Sequence, residues 1–255
     1  NGGTIVNNSG TSRSPGNTSI VVNNNFGLGD IVNFAAGTGN LIFSGTVNLG
    51  ASVTRTITLG TSATYSLNGI ISGSSSNLIL AATAAGTLGL GGANTYGGNT
   101  TINGGTLRPT VTGALPSTTA LSFANTAGAI LDLSTNGITP TVASLSGGGS
   151  TGGNISFGAS ITTTLTVGNA SNTTYSGLIS GASLTTGGLV KVGSGILTLG
   201  HTANTYTGTT TITAGELRLN PSTITGSFAS QIVLNGGKLS TTSIAASTVF
   251  TSTST

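Results

Sequence analysis

Few side chains in this sequence could carry out acid–base chemistry. The carboxylates are Asp30, Asp132 and Glu216, and the one imidazole is His201. Glycoside hydrolysis needs two carboxyl groups that flank the scissile bond, and the nearest two here, Asp132 and Glu216, are 84 positions apart (216 − 132 = 84). A nucleophilic serine would need a histidine and an acid, but the chain has no G-x-S-x-G turn to present one. The sequence therefore predicts a protein that is not an enzyme and has no catalytic residues.

Each of these residues also has a structural interpretation. Asp30 ends the glycine-rich turn GLGD, Asp132 faces outward on the strand AILDLS, and His201 occupies a turn. Glu216 and Arg218 are two positions apart and share one strand face, where an exposed ion pair contributes about 1 kcal/mol or less. The chain has no cysteine and only one histidine, so we expect neither a metal nor a cofactor.

The composition narrows the possible partners. Charged residues make up 4% of the 255 positions, so the surface must consist of Thr, Ser, Asn and Gly. The net charge of +3 comes from six basic and three acidic residues scattered over the chain. Without a basic cluster, nucleic acid binding is not expected. No apolar run approaches the ~20 residues of a transmembrane helix.

A long internal repeat organises the chain. The tetrapeptide ANTY occurs twice, and the four tyrosines and two of the arginines recur at a spacing of 110 positions. The pairs are Tyr65 and Tyr175, Tyr96 and Tyr206, and Arg108 and Arg218. The second copy has an extra residue at His201-Thr202, in a predicted turn. Such repetition indicates a repeated structural unit.

Short strands are predicted throughout, because apolar residues alternate with Thr, Ser, Gly or Asn. The candidates are residues 41–49, 53–59, 77–82, 86–90, 100–103, 129–133, 162–167, 189–192, 195–199, 209–213, 216–219 and 231–234. No 3.6-residue apolar stripe predicts a helix.

Two all-β architectures are compatible with this pattern, a sandwich or barrel and a solenoid. We prefer the solenoid, because single Gly or Asn residues separate clustered strands and a sandwich gives no reason for a repeat of 110 residues. With ~20–25 residues per coil, the chain would form roughly 10–12 coils and each long repeat would span about five. We expect one solenoid domain over residues 1–255, with the repeats at about 57–110 and 165–220.

The repeat resembles the autotransporter-associated β-strand repeat, also called the passenger-associated transport repeat. The matching segments are SGLISG (176–181), GGLVKVGSGILTLG (187–200) and ANTYTGTTTITAGELRL (203–219) in the second copy, and NGIISG (68–73) and AAGTLGLGGANTYGGNTTINGGTLR (84–108) in the first. The resemblance implies a right-handed parallel β-helix in a surface-exposed or secreted bacterial protein, without catalysis. The first copy lacks a counterpart of Lys191, which indicates that this lysine is not essential.

Two hypotheses about function follow. The first is a structural subunit of an extracellular filament, sheath or surface stalk that assembles head to tail with itself, by strands at Thr4, Ile5 and Val6 or at Thr248, Val249 and Phe250. The second is an autotransporter-type adhesin passenger that binds surface glycans or proteins. A polysaccharide-degrading enzyme is a third possibility, but it would need clustered acids. For Tyr65, Tyr96, Tyr175 and Tyr206 we expect a ring packed into a coil corner and a hydroxyl at the surface, although a platform for sugars is an alternative.

Overall fold

The computed structural model describes residues 4–5, 14, 19–28, 40–60, 62–83, 85–158, 162–181, 188–220 and 230–241. Within these ranges the chain forms 26 strands and one short 3₁₀ helix at Thr112–Ala114. Every strand pairing is parallel.

The strands form four sheets. The first sheet has eleven strands: β1 (Thr4–Ile5), β3 (Phe26–Leu28), β6 (Thr54–Leu59), β9 (Asn77–Ala82), β11 (Thr100–Ile102), β13 (Ala120–Phe123), β16 (Ser144–Gly147), β19 (Thr173–Tyr175), β22 (Ile196–Leu199), β24 (Glu216–Leu219) and β26 (Lys238–Thr241). The second has seven: β4 (Leu41–Phe43), β7 (Thr64–Leu67), β10 (Thr87–Leu90), β12 (Thr106–Pro109), β14 (Ile130–Leu133), β17 (Asn154–Phe157) and β20 (Ile179–Ser180). The third has five: β15 (Thr141–Val142), β18 (Thr164–Val167), β21 (Gly188–Lys191), β23 (Thr210–Ile212) and β25 (Ile232–Leu234). The fourth has three: β2 (Ile20–Val21), β5 (Val47–Asn48) and β8 (Ile71–Ser72).

The order of the strands defines a coil with three strand positions. The chain visits the first sheet, then the second, then the third or fourth, and returns to the first one strand further along. Successive strands of the first sheet begin 20 residues apart at the closest, from Thr100 to Ala120, and 29 at the widest, from Ser144 to Thr173. The parallel β-solenoid is confirmed and the sandwich is wrong, while the right hand of the coil remains a prediction.

The interior is apolar because the sheets alternate in burial. In β9, Leu78 and Leu80 are buried, and in β13 the same holds for Leu121 and Phe123. Each inward side chain lies on its counterpart in the next coil, as Leu121 does on Leu145. The buried side chains form one continuous cluster. A coil is therefore covered by its neighbours rather than by a second layer.

Most strands occur where alternation predicts them, but one predicted strand is divided. Residues 41–49 form β4 in the second sheet and β5 in the fourth. The division falls at residues 44–46, where a corner turns the chain to the next strand position. Alternation continues through this corner, so the sequence gives no sign of it.

The two copies of the long repeat lie at different strand positions of the coil. Strand β9 lies in the first sheet, whereas its counterpart β21 lies in the third. In the same way, β7 and β10 lie in the second sheet and their counterparts β19 and β22 in the first. Along the first sheet β9 is the fourth strand, and β21 belongs to the coil of β19, the eighth. The repeat therefore spans four coils and two of the three strand positions of a fifth, rather than five whole coils.

Candidate functional site

The sequence-predicted acids are held in separate ion pairs. Asp132 lies on the outer side of β14, as expected, but its side chain is only 11% exposed. Arg108 of the previous coil covers it, with Nη2 and Nε at 2.7 and 2.8 Å from Oδ2. Burial opposes ionisation of Asp132, but the hydrogen bonds from Ser134 and Arg108 outweigh it and hold its pKa below the usual value. This carboxylate is paired and unsuited to proton transfer.

Glu216 is similarly engaged on the first sheet. Its Oε1 accepts a hydrogen bond from the Ser240 hydroxyl of the next coil and one from Arg218 Nε at 2.9 Å, and Oε2 is 3.4 Å from Lys238 Nζ. The Ser240 hydrogen bond is the largest cause that lowers the pKa of Glu216, and Arg218 adds to it. The predicted pairing of Glu216 with Arg218 on one strand face is confirmed.

No catalytic or metal-binding cluster is found among the described residues. The backbone N–H of Ala203 donates to His201 Nδ1 at 3.1 Å within a turn, and partial burial lowers the pKa of the imidazole. No group of three or more His, Cys, Asp or Glu side chains could hold a metal within the described ranges. Asp30 lies outside them.

The ANTY corner of the first copy contains a buried chain of hydroxyls. Tyr96 is 1% exposed, and its hydroxyl lies 2.7 Å from Thr100 Oγ1. Thr100 Oγ1 lies 2.9 Å from Thr119 Oγ1 of the next coil, which donates to the carbonyl oxygen of Gly98 at 2.9 Å. The corner of one coil is thereby bonded to the next.

The second copy builds the same chain. The Tyr206 hydroxyl lies 2.6 Å from Thr210 Oγ1, which lies 2.6 Å from Ser230 Oγ. Ser230 Oγ donates to the carbonyl oxygen of Gly208. The ring of Tyr206 also contacts Phe157, with ring centroids 6.0 Å apart. Serine replaces threonine at the last hydroxyl, and the hydrogen-bond pattern is preserved.

The other two tyrosines are buried as well. Tyr65 is 2% and Tyr175 1% exposed. The Tyr175 hydroxyl donates to the carbonyl oxygen of Gly153 at 2.6 Å, and its ring meets Phe123 edge-on at 5.5 Å. The expectation that the tyrosine hydroxyls lie at the surface is therefore wrong, because the next coil covers them. Buried rings also cannot form a platform for sugars.

The asparagine of ANTY is a structural residue that the sequence analysis missed. Asn94 Oδ1 accepts the backbone N–H of Ile71 at 2.7 Å, and its Nδ2 donates to the carbonyl oxygen of Ala114 at 2.7 Å. It thus joins the previous coil to the following one. Asn204 Oδ1 accepts the N–H of Ile179 at 2.9 Å in the same way. Repetition of the asparagine beside each tyrosine was the available signal.

Lys191 is a buried cation. The residue is 1% exposed, and Nζ donates to the carbonyl oxygens of Val192 at 2.6 Å, Gly193 at 2.9 Å and, across coils, Ala214 at 3.4 Å. Burial lowers the pKa of the ammonium. At the matching place in the first copy Ala82 packs against the corner glycine Gly105.

Only part of the predicted polymerisation strands can be described. Thr4 and Ile5 form β1, which pairs with β3 of the same chain. Val6 and the segment Thr248, Val249 and Phe250 lie outside the described residues. At the other end of the described solenoid, Leu234 of β25 is aligned with the interior residue Ile212 but is 59% exposed.

Comparison with known proteins agrees with this architecture. Residues 83–108 and 189–219 match the family model of the passenger-associated-transport-repeat. The chain is 39% identical over 107 residues to the adhesin BmaC autotransporter of Brucella suis biovar 1 (strain 1330), an alignment that covers 38% of this chain. The aligned part is 3% of the length of that adhesin. No solved structure matches the chain. Within the described residues, no helix has the length and apolar character needed to cross a membrane. The chain is a β-solenoid that carries two passenger-associated-transport repeats.

Proposed function

We propose that this chain is part of the passenger of a bacterial surface adhesin, in which it forms a rigid, non-enzymatic section of the stalk. The observation that carries the proposal is that both matched repeats are built into one parallel solenoid, and that the same Tyr–Thr–hydroxyl chain bonds a coil to the next in each. The similarity to an adhesin supports the same assignment.

The chemistry of the described residues suits a structural role. Asp132 and Glu216 are satisfied by arginines, and the largest polar networks bond successive coils rather than converge on a pocket. A solenoid of this kind holds its two ends at a fixed separation, because each coil adds about 4.8 Å along the axis. Such a section would carry an adhesive region away from the cell surface.

The filament subunit, our other hypothesis, has less support. Its predicted joining strands lie partly outside the described residues, and the one that is described, β1, is paired within the chain. The similarity to an adhesin favours the passenger. We therefore retain the passenger as the proposed function.

Surface display on the bacterium that produces the chain tests the proposal. Antibodies raised against the purified chain should label intact cells, and proteinase K added outside should remove the epitope while a periplasmic marker survives. An epitope that becomes accessible only after lysis would contradict the proposal. Antibody fragments against the chain should also reduce attachment to host cells or matrix if the passenger is adhesive.

A further inference from the structure

We infer that the outer face of the first sheet is a self-association surface that binds the same face of a second copy of this chain. The inference goes beyond the proposed function and does not depend on how the chain is exported. Five consecutive coils contribute one hydroxyl side chain each to a single column on this face. The column, from first coil to last, is Thr101, Ser122, Ser146, Thr174 and Thr198.

The register of the strands defines this column. Thr101 pairs with Ser122, and Ser122 pairs with Ser146. Thr174 pairs with Thr198 and precedes the Gly147–Tyr175 pair by one position, which places it beside Ser146. None of the five side chains is buried, and Thr101 Oγ1 lies 2.9 Å from Ser122 Oγ.

Repetition of the sequence does not explain the column. Thr101 belongs to the first copy of the repeat, Ser122 and Ser146 to the segment between the copies, and Thr174 and Thr198 to the second copy. Because the second copy is shifted by one strand position, equivalent residues of the two copies do not lie on the same sheet. The counterpart of Thr198, for example, is Gly89 in the second sheet.

The face around the column is flat and uncharged. From β9 to β22 its other outward residues on the strands are Asn77, Ile79, Ala81, Ala120, Ser144 and Ile196. The second sheet, in contrast, presents Arg108 and Asp132 at adjacent positions, and the column of the third sheet alternates Thr166, Val190, Thr211 and Val233. A neutral face can be covered without the cost of removing ions from water.

A second copy is the partner that fits this face. A hydroxyl both donates and accepts hydrogen bonds, so two identical columns are complementary to each other across a two-fold axis. Their spacings are also identical, about 4.8 Å per coil, so that contacts stay in step over every coil. A sugar polymer is a less suitable partner, because the exposed large hydrophobic residues of the described chain are all aliphatic and offer no ring to stack on.

The size of the face predicts a weak dimer. Seven strands at about 4.8 Å and three outward positions per strand give roughly 30 by 15 Å, about half of the ~800 Å² per partner of a standard interface. Association should therefore appear only at high concentration in solution. Many copies anchored side by side, or on two apposed cells, would meet this condition.

Sedimentation velocity on the purified chain, from micromolar to millimolar concentration, tests the inference. The wild-type chain should shift reversibly from monomer to dimer. Ser146→Lys places a charge at the centre of the column and should weaken dimerisation about tenfold or more at low salt, because the two-fold axis brings like charges together. The matched control is Ser66→Lys, at a half-buried outer position of the second sheet beside Ile42 and Gly89, and it should dimerise as wild type does.

Each other outcome overturns the inference. These outcomes are a monomer at every concentration, dimerisation that Ser146→Lys leaves intact, and an equal loss in both variants. Circular dichroism and the thermal midpoint of each variant establish that it is folded. Because the assay uses the isolated chain, its result is separate from surface display, and failure of one does not imply failure of the other.

Discussion

Tyr206 repeats the hydrogen-bonded chain of Tyr96 on a different side of the coil. Tyr96 leads into β11 of the first sheet and Tyr206 into β23 of the third. Each hydroxyl bonds the threonine four residues later, and that threonine bonds a hydroxyl of the next coil. The corner is therefore a local unit that works at any strand position, which allows the repeat length to be a fractional number of coils.

Removing either hydroxyl should weaken the solenoid by a similar amount. Tyr96→Phe and Tyr206→Phe each remove one buried hydrogen bond and keep the ring, so each should lower the free energy of unfolding by about 1 kcal/mol. The double variant should be additive within about 0.5 kcal/mol, because the corners are several coils apart. Urea unfolding followed by circular dichroism measures these values, with Thr95→Ala, at an exposed position of the same corner, as the control. A loss confined to one copy would contradict the equivalence of the corners.

Alkaline pH should unfold the chain through its tyrosines. Burial raises the pKa of Tyr206 to about 12 and raises those of Tyr96 and Tyr175 as well, whereas in the unfolded chain these groups titrate near 10.0. The folded state thus holds protons that the unfolded state releases, so their stabilisation is complete below pH 10 and decreases as pH rises towards about 12. Tyrosinate absorbance should rise together with loss of the β-sheet signal. Ionisation of these tyrosines near pH 10 in a chain that stays folded would refute their burial.

Asn94 should be more important than its exposed neighbour Asn99. Asn94→Ala leaves the buried N–H of Ile71 and the carbonyl of Ala114 without these partners, at a cost of about 2–4 kcal/mol. Asn99→Ala removes an exposed side chain and should change stability by no more than about 0.5 kcal/mol. Equal effects of the two substitutions in urea unfolding would argue against a bridge between coils.

Lys191 should be a structural residue of the second copy although the first copy lacks it. Lys191→Met keeps most of the side-chain volume but removes the donor to the carbonyls of Val192 and Gly193, so we expect a loss of about 2 kcal/mol. The same substitution at Lys238, whose side chain is 70% exposed, is the control and should have little effect. Equal thermal midpoints for the Lys191→Met variant and the wild type would show that the ammonium is dispensable.

The sequence predicts the class of this fold well because alternation and turn residues are local signals. Strands β9 and β24 begin and end where the alternating pattern does. The split of residues 41–49 and the shift of the second copy were missed, because both depend on how many residues each corner takes. Coil length varies between 20 and 29 residues, so the repeat spacing alone does not fix the number of coils.

The hydrogen-bond partners were beyond prediction for a similar reason. The hydroxyl that completes the Tyr96 chain belongs to Thr119, and the arginine that covers Asp132 is Arg108, 24 residues earlier. Such partners are known only once the register of the coils is known. Lys191 was judged from its absence in the first copy, although a buried ammonium can stabilise one turn without being required in another.

A cross-linking measurement tests the stacked parallel coils most directly, since the chain has no native cysteine. Thr101→Cys combined with Ser122→Cys places two thiols on adjacent coils, at a spacing of about 4.8 Å that a disulfide can bridge. Thr101→Cys combined with Ser146→Cys places them two coils apart, at about 9.6 Å and beyond the ~7 Å limit. We predict rapid, complete oxidation within the monomer for the first pair and none for the second. Oxidation of the second pair, or failure of the first in a folded chain, would contradict the account.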